Sequence, residues 1–335
     1  MNLFELTRAL VDIESITDNE ERVGEYLFHR LQTLASAHNG GVEKLPVEER
    51  RFNLFAQFGN PIVVFSTHID TVPPFFASRE DDEYIWGRGA CDTKGIIAAM
   101  IHAVEGLLAS GIRNVGLLFV VGEERNSVGA YTASKTPRGS KFIINGEPTE
   151  NKLALGSKGA LRFEINAKGR MAHSAYPELG ESAIEKLLDA CQRIRQVKLP
   201  YDPVLGQSTL NFGTISGGRA PNVIPDAAKA EIFIRLVDDG NATAAAIKSA
   251  VKGFAEADEV LRIPAVRLGS LEGFETTIVS YTTDIPAFAG AWGKPFLFGP
   301  GSIHVAHTTE ERIPKRQLLE AVKLYQQIAR DLLEV

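Results

Sequence analysis

Cysteine is scarce in this chain of 335 residues. Only Cys91 and Cys191 occur, and neither has Cys-x-x-Cys spacing. That excludes a disulfide framework and a metal site built on paired thiolates. No apolar run approaches the roughly 20 residues needed to span a bilayer. No basic stretch exists to neutralise phosphates: 36 Lys and Arg face 42 Asp and Glu, mixed along the chain, for a net charge of −6. Nucleic acid and anionic membranes are therefore not expected as partners. The N-terminus has an acidic residue, Glu5, where a signal peptide would carry a basic and then an apolar region, so a cytoplasmic location is expected. Internal repeats and low-complexity segments are missing too. What is present, 44% hydrophobic and 23% charged residues, is an ordinary globular composition long enough for two domains or one with an insertion.

Apolar spacing predicts helices over 3–12 and 20–37, with Thr17 or Asp18 as N-cap of the second. Strands at 52–58 and 62–66, a buried helix over 93–110 and a strand at 115–121 follow. This alternation, continuing to Glu147, predicts an α/β domain with a mostly parallel sheet flanked by helices. After about residue 157 the pattern changes to strand 160–167, helix 181–196, strands 208–215 and 227–236, helix 243–256 and strand 259–266. A β-α-β-β-α-β order of this kind is ferredoxin-like. It suggests an α+β unit over 158–266, inserted between the two parts, 1–157 and 267–335, of the α/β domain.

The run Val115–Val121 ends in Gly122-Glu123-Glu124. Like charges this close raise each other's pKa, a cost relieved by a cation or by a role in proton transfer. Other segments deliver comparable groups. His68 and Asp70 follow the 62–66 strand, where Asp70 can bond one imidazole nitrogen and leave the other for a metal. Asp92 stands in the glycine-rich loop 87–95, either as a helix cap or as a carboxylate that bridges two cations. Glu147 follows an apolar run at 141–145, and His307, with His304 as its local competitor, lies in the 299–311 loop. Each alone reads equally well as a surface group. Together they emerge from the carboxyl ends of predicted parallel strands, where open α/β sheets place active sites.

At this point the chain resembles the dinuclear zinc amidohydrolases that include acetylornithine deacetylase, succinyl-diaminopimelate desuccinylase, aminoacylase and related carboxypeptidases and dipeptidases. The matching stretches are STHIDTVP (66–73), GRGACDTKG (87–95), GEE (122–124), GEPT (146–149), GRMAHS (169–174), NVIPD (222–226) and the loop 299–311. The resemblance implies a zinc-peptidase-like fold with an inserted lid and dimerisation domain. It implies two Zn2+, with Co2+ or Mn2+ as alternatives: one held by His68, Asp92 and Glu147, the other by Asp92, Glu124 and His307. Asp70 would orient His68 and Glu123 would act as general base. His173 would stabilise an oxyanion in a neighbouring subunit's site, so a homodimer is implied. Asn222 and Arg235 would hold a substrate carboxylate.

The substrate implied is a small molecule, an N-acyl amino acid such as acetylornithine or acetyl-lysine, or a short peptide. A glutamate-releasing carboxypeptidase or dipeptidase is the alternative. A binding protein that has lost its catalysis would lack metal ligands, and none of the five is missing.

Overall fold

The computed structural model describes residues Met1–Val335, and the chain divides into two units. The first comprises Met1–Leu155, Leu268–Thr277 and Thr283–Val335; the second comprises Gly156–Arg267 with Ile278–Thr282.

The first unit is built on a six-stranded sheet in the spatial order Gly41–Glu48, Arg51–Phe58, Val115–Val120, Val63–His68, Phe142–Asn145, Lys294–Leu297. Its last three pairings are parallel, and an antiparallel hairpin forms the other edge. The edge strand Gly41–Glu48 escapes the sequence reading because it contains Pro46 and buries no side chain fully, as edge strands often do.

Alternate residues of the central strands feed opposite faces. Val63, Phe65, Leu117 and Phe119 join a core with the helices Leu3–Val11, Glu21–Ala37, Gly95–Ala109 and Lys315–Leu333. Val64, Leu118 and Val120 join another with Ala130, Ala133, Phe288 and Trp292. Burying one such side chain contributes about 1.5–3 kcal/mol. Gly95–Ala109 has eleven of its fifteen residues buried, which is why its sequence shows no polar face. The last helix buries Leu318, Ala321, Tyr325, Ile328 and Leu332 at helical spacing, and the Tyr325 hydroxyl donates to the Phe298 carbonyl at 2.8 Å.

Thr17 and Asp18 do not cap the second helix. It begins at Glu21, after Glu20, whose carboxylate is taken by Arg51 at 2.6 and 2.9 Å. The Thr17 hydroxyl is used at the functional site instead.

The second unit is a four-stranded antiparallel sheet in the order Thr209–Gly217, Ala227–Leu236, Gly159–Lys168, Glu256–Ile263. Numbered by sequence, that is 2-3-1-4, the ferredoxin-like arrangement. Helices Ala183–Arg195 and Asn241–Ala250 contribute Leu187, Ile194 and Ile247 to a core with Phe163, Ile165, Ile232 and Ile234. No helix in the chain is long and apolar enough to cross a membrane.

Candidate metal centre

Three neighbouring parallel strands end at the same edge of the main sheet and supply most of the acidic and imidazole groups. His68 closes Val63–His68, Glu123 and Glu124 follow Val115–Val120, and Glu147 follows Phe142–Asn145. Thr67 and Thr93 tie these ends together. The Thr67 hydroxyl donates to the Gly146 carbonyl at 2.8 Å, and the Thr93 hydroxyl donates to the His68 carbonyl at 2.7 Å. Asp92 lies in the turn Ala90–Lys94, with non-helical dihedrals, before the helix that starts at Gly95. Gly89 enters that turn at φ +81°, in the left-handed region that favours glycine.

Asp92 is the centre of the group. One carboxylate oxygen lies 3.0 Å from His68 Nε2 and the other 3.4 Å from His307 Nε2. His307 Nε2 also lies 3.0 Å from Glu124. Ligand atoms of His68, Asp92 and Glu124 all fall within 4.8 Å of one another. His304 is exposed and takes no part in this group.

Asp70 has a larger task than the expected one of steadying His68. His68 Nδ1 lies 2.9 Å from the Asp70 backbone carbonyl, and the Asp70 carboxylate is 3.5 Å away. A carbonyl can only accept, so Nδ1 carries a proton and Nε2 is the atom presented to Asp92. The Asp70 carboxylate itself accepts the backbone amides of Gly122, Glu123 and Glu124 at 2.9, 3.1 and 3.2 Å. The Thr17 hydroxyl donates to it at 2.8 Å. The turn it holds starts at Gly122 with φ +80°, where a Cβ would press against the Arg51 guanidinium at 2.9 Å.

These groups perturb one another strongly. Burial pushes Glu123 and Glu147 well above the usual carboxylate range, and neighbouring carboxylates add to the shift. Asp284, absent from the sequence reading, is raised by burial to about 7, with Asp70 and Glu124 contributing. Asp92 is held low against its burial by His307 and His68. Asp92 and Glu124 raise His307 to about 10. Glu147 Oε1 is buried with no hydrogen-bond partner. So many carboxylates, one with an orphaned oxygen, beside two imidazoles that present Nε2, make a donor set that fits divalent cations.

Residues 64–331 match the model of peptidase family M20/M25/M40. The chain belongs to this family. An M20 domain-containing protein of Schizosaccharomyces pombe is 38% identical over 98% of this chain and 84% of its own length. A "Probable carboxypeptidase" of Aspergillus niger is 37% identical over 96% of this chain and 87% of its own. Among solved structures, aminopeptidase PepT of Bacillus cereus aligns with TM-score 0.82 at 20% identity over 98% of each chain. An M20 dinuclear metal-binding peptidase of Bacillus subtilis aligns with TM-score 0.69 at 17% identity, covering 99% of this chain and 98% of that one. As an M20 peptidase the chain is a metal-binding hydrolase of peptide C–N bonds.

The remaining residues singled out from the sequence lie in the second unit. His173 is exposed, and its Nδ1 accepts the Ala175 amide at 3.1 Å, which leaves Nε2 facing solvent. The Asn222 carbonyl accepts the Ser174 amide at 3.0 Å, beside the pairing of Ala172–His173 with Val223–Ile224. Arg235 is half-buried and lies over the Phe233 ring at 4.7 Å, and burial lowers its pKa.

The shifts of the acidic groups predict how the M20 chain responds to pH once metal is stripped. A carboxyl whose native pKa exceeds its unfolded value stabilises the fold fully below the unfolded value, and that contribution is lost as pH rises through the native one. For Asp284 the window runs from 3.8 to about 7, and Glu123 and Glu147 act in the same sense. His307 adds to the loss above 6.5, its own contribution running out as pH rises to about 10, and Asp92 loses its own only as pH falls below the ordinary carboxylate range. The chelator-treated protein is therefore expected to melt at a lower temperature at pH 8 than at pH 5.5. Restored divalent metal should flatten that dependence. Melts with and without metal check this, and a metal-free profile that rises with pH would contradict it.

Proposed function

We propose that this chain is a two-metal exopeptidase that releases an amino acid from the carboxyl end of a short peptide. His68, Asp92 and Glu147 would hold one divalent ion, and Asp92, Glu124 and His307 the other, with Asp92 shared. Zinc is proposed first, with cobalt or manganese as alternatives. The observation that carries the reading is the convergence of His68, Asp92, Glu124 and His307 within hydrogen-bonding reach. Bound there, the ions would polarise the scissile carbonyl and lower the pKa of water.

Glu123 supplies the proton traffic in this reading. Its raised pKa lets it accept a proton from the attacking water and return it to the departing amine nitrogen. Water adds to the carbonyl carbon, the C–N bond breaks, and the products are a carboxylic acid and an amine. Asp70 holds Glu123 in place through the turn's amides.

The choice of substrate rests on Arg235. No carboxylate of the chain pairs with it, and its half-buried guanidinium suits the α-carboxylate of the leaving residue. N-acyl amino acids and C-terminal peptide bonds share that feature. Sequence reading puts acetylornithine-like or acetyl-lysine-like substrates first, but the name of the Aspergillus relative favours a peptidyl acyl group. Asn222 is assigned to the same carboxylate and His173 to the oxyanion. The second unit is assigned as a lid that forms a homodimer, and the enzyme is placed in the cytoplasm.

The test is amine release from matched N-acetyl amino acids, N-blocked dipeptides and the same dipeptides as C-terminal amides, with metal-loaded enzyme. Cleavage of the free-acid dipeptides and not their amides is expected. Equal cleavage of the amides would remove the carboxylate role. Turnover of the N-acetyl amino acids alone would return the chain to the deacetylase branch.

A further inference from the structure

Glu311 has no role in the site as described so far, yet it joins two of its loops. Its side chain is fully buried. One carboxylate oxygen accepts the backbone amides of Cys91 and Asp92 at 3.2 and 3.1 Å. The other accepts from Arg88 Nη1 at 2.5 Å. The Glu311 carbonyl accepts the Gly87 amide at 3.1 Å, and Arg88 Nε donates to the Pro74 carbonyl at 3.2 Å. A residue four positions after His307 thus grips the segment that presents Asp92 from several sides.

The grip matters because the proposed ligands are not equally supported. His68 closes a strand of the main sheet, and Glu124 and Glu147 follow two others closely. His307 follows no strand so closely. It lies in a loop, at φ +62°, a conformation that costs a non-glycine residue energy and persists only where its surroundings dictate it. After Glu311 the chain pairs again, Arg312 with Trp86 and Ile313 with Ile85. Glu311 is therefore the first anchor beyond His307, and it bonds directly to the amide of Asp92.

We propose that Glu311 is a positioning residue that fixes the spacing of Asp92 and His307. It sets the affinity of the ion held by Asp92, Glu124 and His307 more than that of the ion held by His68, Asp92 and Glu147, because only the first depends on His307. The assignment rests on the two-ion reading above. Hydrogen bonds to a charged acceptor are roughly twice as strong as neutral ones, and loss of partners behind metal ligands typically lowers affinity about 10–100-fold.

The experiment is chelator competition with metal analysis on the native protein, on Glu311→Gln, and on Glu311→Leu combined with Arg88→Met. The double variant removes the ion pair without burying an unpaired charge, at the cost of the acceptor for the Cys91 and Asp92 amides, whereas Glu311→Gln keeps a carbonyl oxygen there. Native protein should hold two ions. The double variant should release one of them at about 10-fold or more weaker affinity and weaken the other, which shares Asp92, less, while the single variant falls between. Melting of the metal-free proteins reports any general loosening separately. Native-like affinity for both ions in the double variant, or equal weakening of both, would overturn the role of Glu311. A native protein that holds one ion would overturn the two-ion reading and this assignment with it.

Discussion

Glu123→Gln is expected to lower kcat by about 10²–10⁴-fold with metal content unchanged. Gln has nearly the size and shape of Glu and leaves the Glu123 amide on the Asp70 carboxylate, so the turn keeps its form. It loses only the ability to take up and return a proton. Burial and the charges of Glu147, Asp284 and Glu124 favour the protonated carboxyl, and a proton carrier depends on that. Measuring kcat together with bound metal separates this loss from a loss of ligands. Turnover within about tenfold of native would remove Glu123 from the proton path.

Asp70→Ala is expected to abolish measurable turnover, weaken metal binding and destabilise the fold by about 3–5 kcal/mol, the range for removing one member of a buried charged network. Three amides in one turn, those of Gly122, Glu123 and Glu124, would lose their acceptor, at about 1–3 kcal/mol for each left unsatisfied. The Thr17 hydroxyl would lose its partner as well. Thr17→Val separates the contributions of Asp70. It removes one donor to the carboxylate while leaving His68 its contact with the Asp70 carbonyl, so a small stability loss of about 1 kcal/mol with reduced kcat is expected. Denaturant unfolding and metal titration of both variants check this. A stable, fully metallated Asp70→Ala protein would show that the turn does not depend on the carboxylate.

The groups that come together at the sheet edge were legible because strand ends are legible. An apolar run that stops at His68 or Glu123 locates a side chain along the strand, and parallel pairing brings those ends to one edge. The inserted unit was readable for a similar reason, since its strands alternate clearly between buried and exposed positions. Thr17 was misread as a cap because a hydroxyl before a helix bonds backbone amides and carboxylates equally well. The acceptor role of Asp70 was hidden because its partners are backbone amides, which carry no letter in a sequence. Glu311 meets Arg88 across 223 positions, and Asp284 meets its acidic neighbours only after the chain has crossed the second unit. Neither follows from local spacing.

The division of the chain has a consequence for its synthesis. The second unit is almost continuous, Gly156–Arg267 with only Ile278–Thr282 added, so its four-stranded sheet is fully translated while the main sheet still lacks Lys294–Leu297. The first unit has an unfinished core until the helix Lys315–Leu333 has been made. Domains fold as units during synthesis, earlier ones first where the chain permits. Here the inserted unit has every strand of its sheet before the first unit has all of its own, and His307 and Glu311 are made only after that unit is complete.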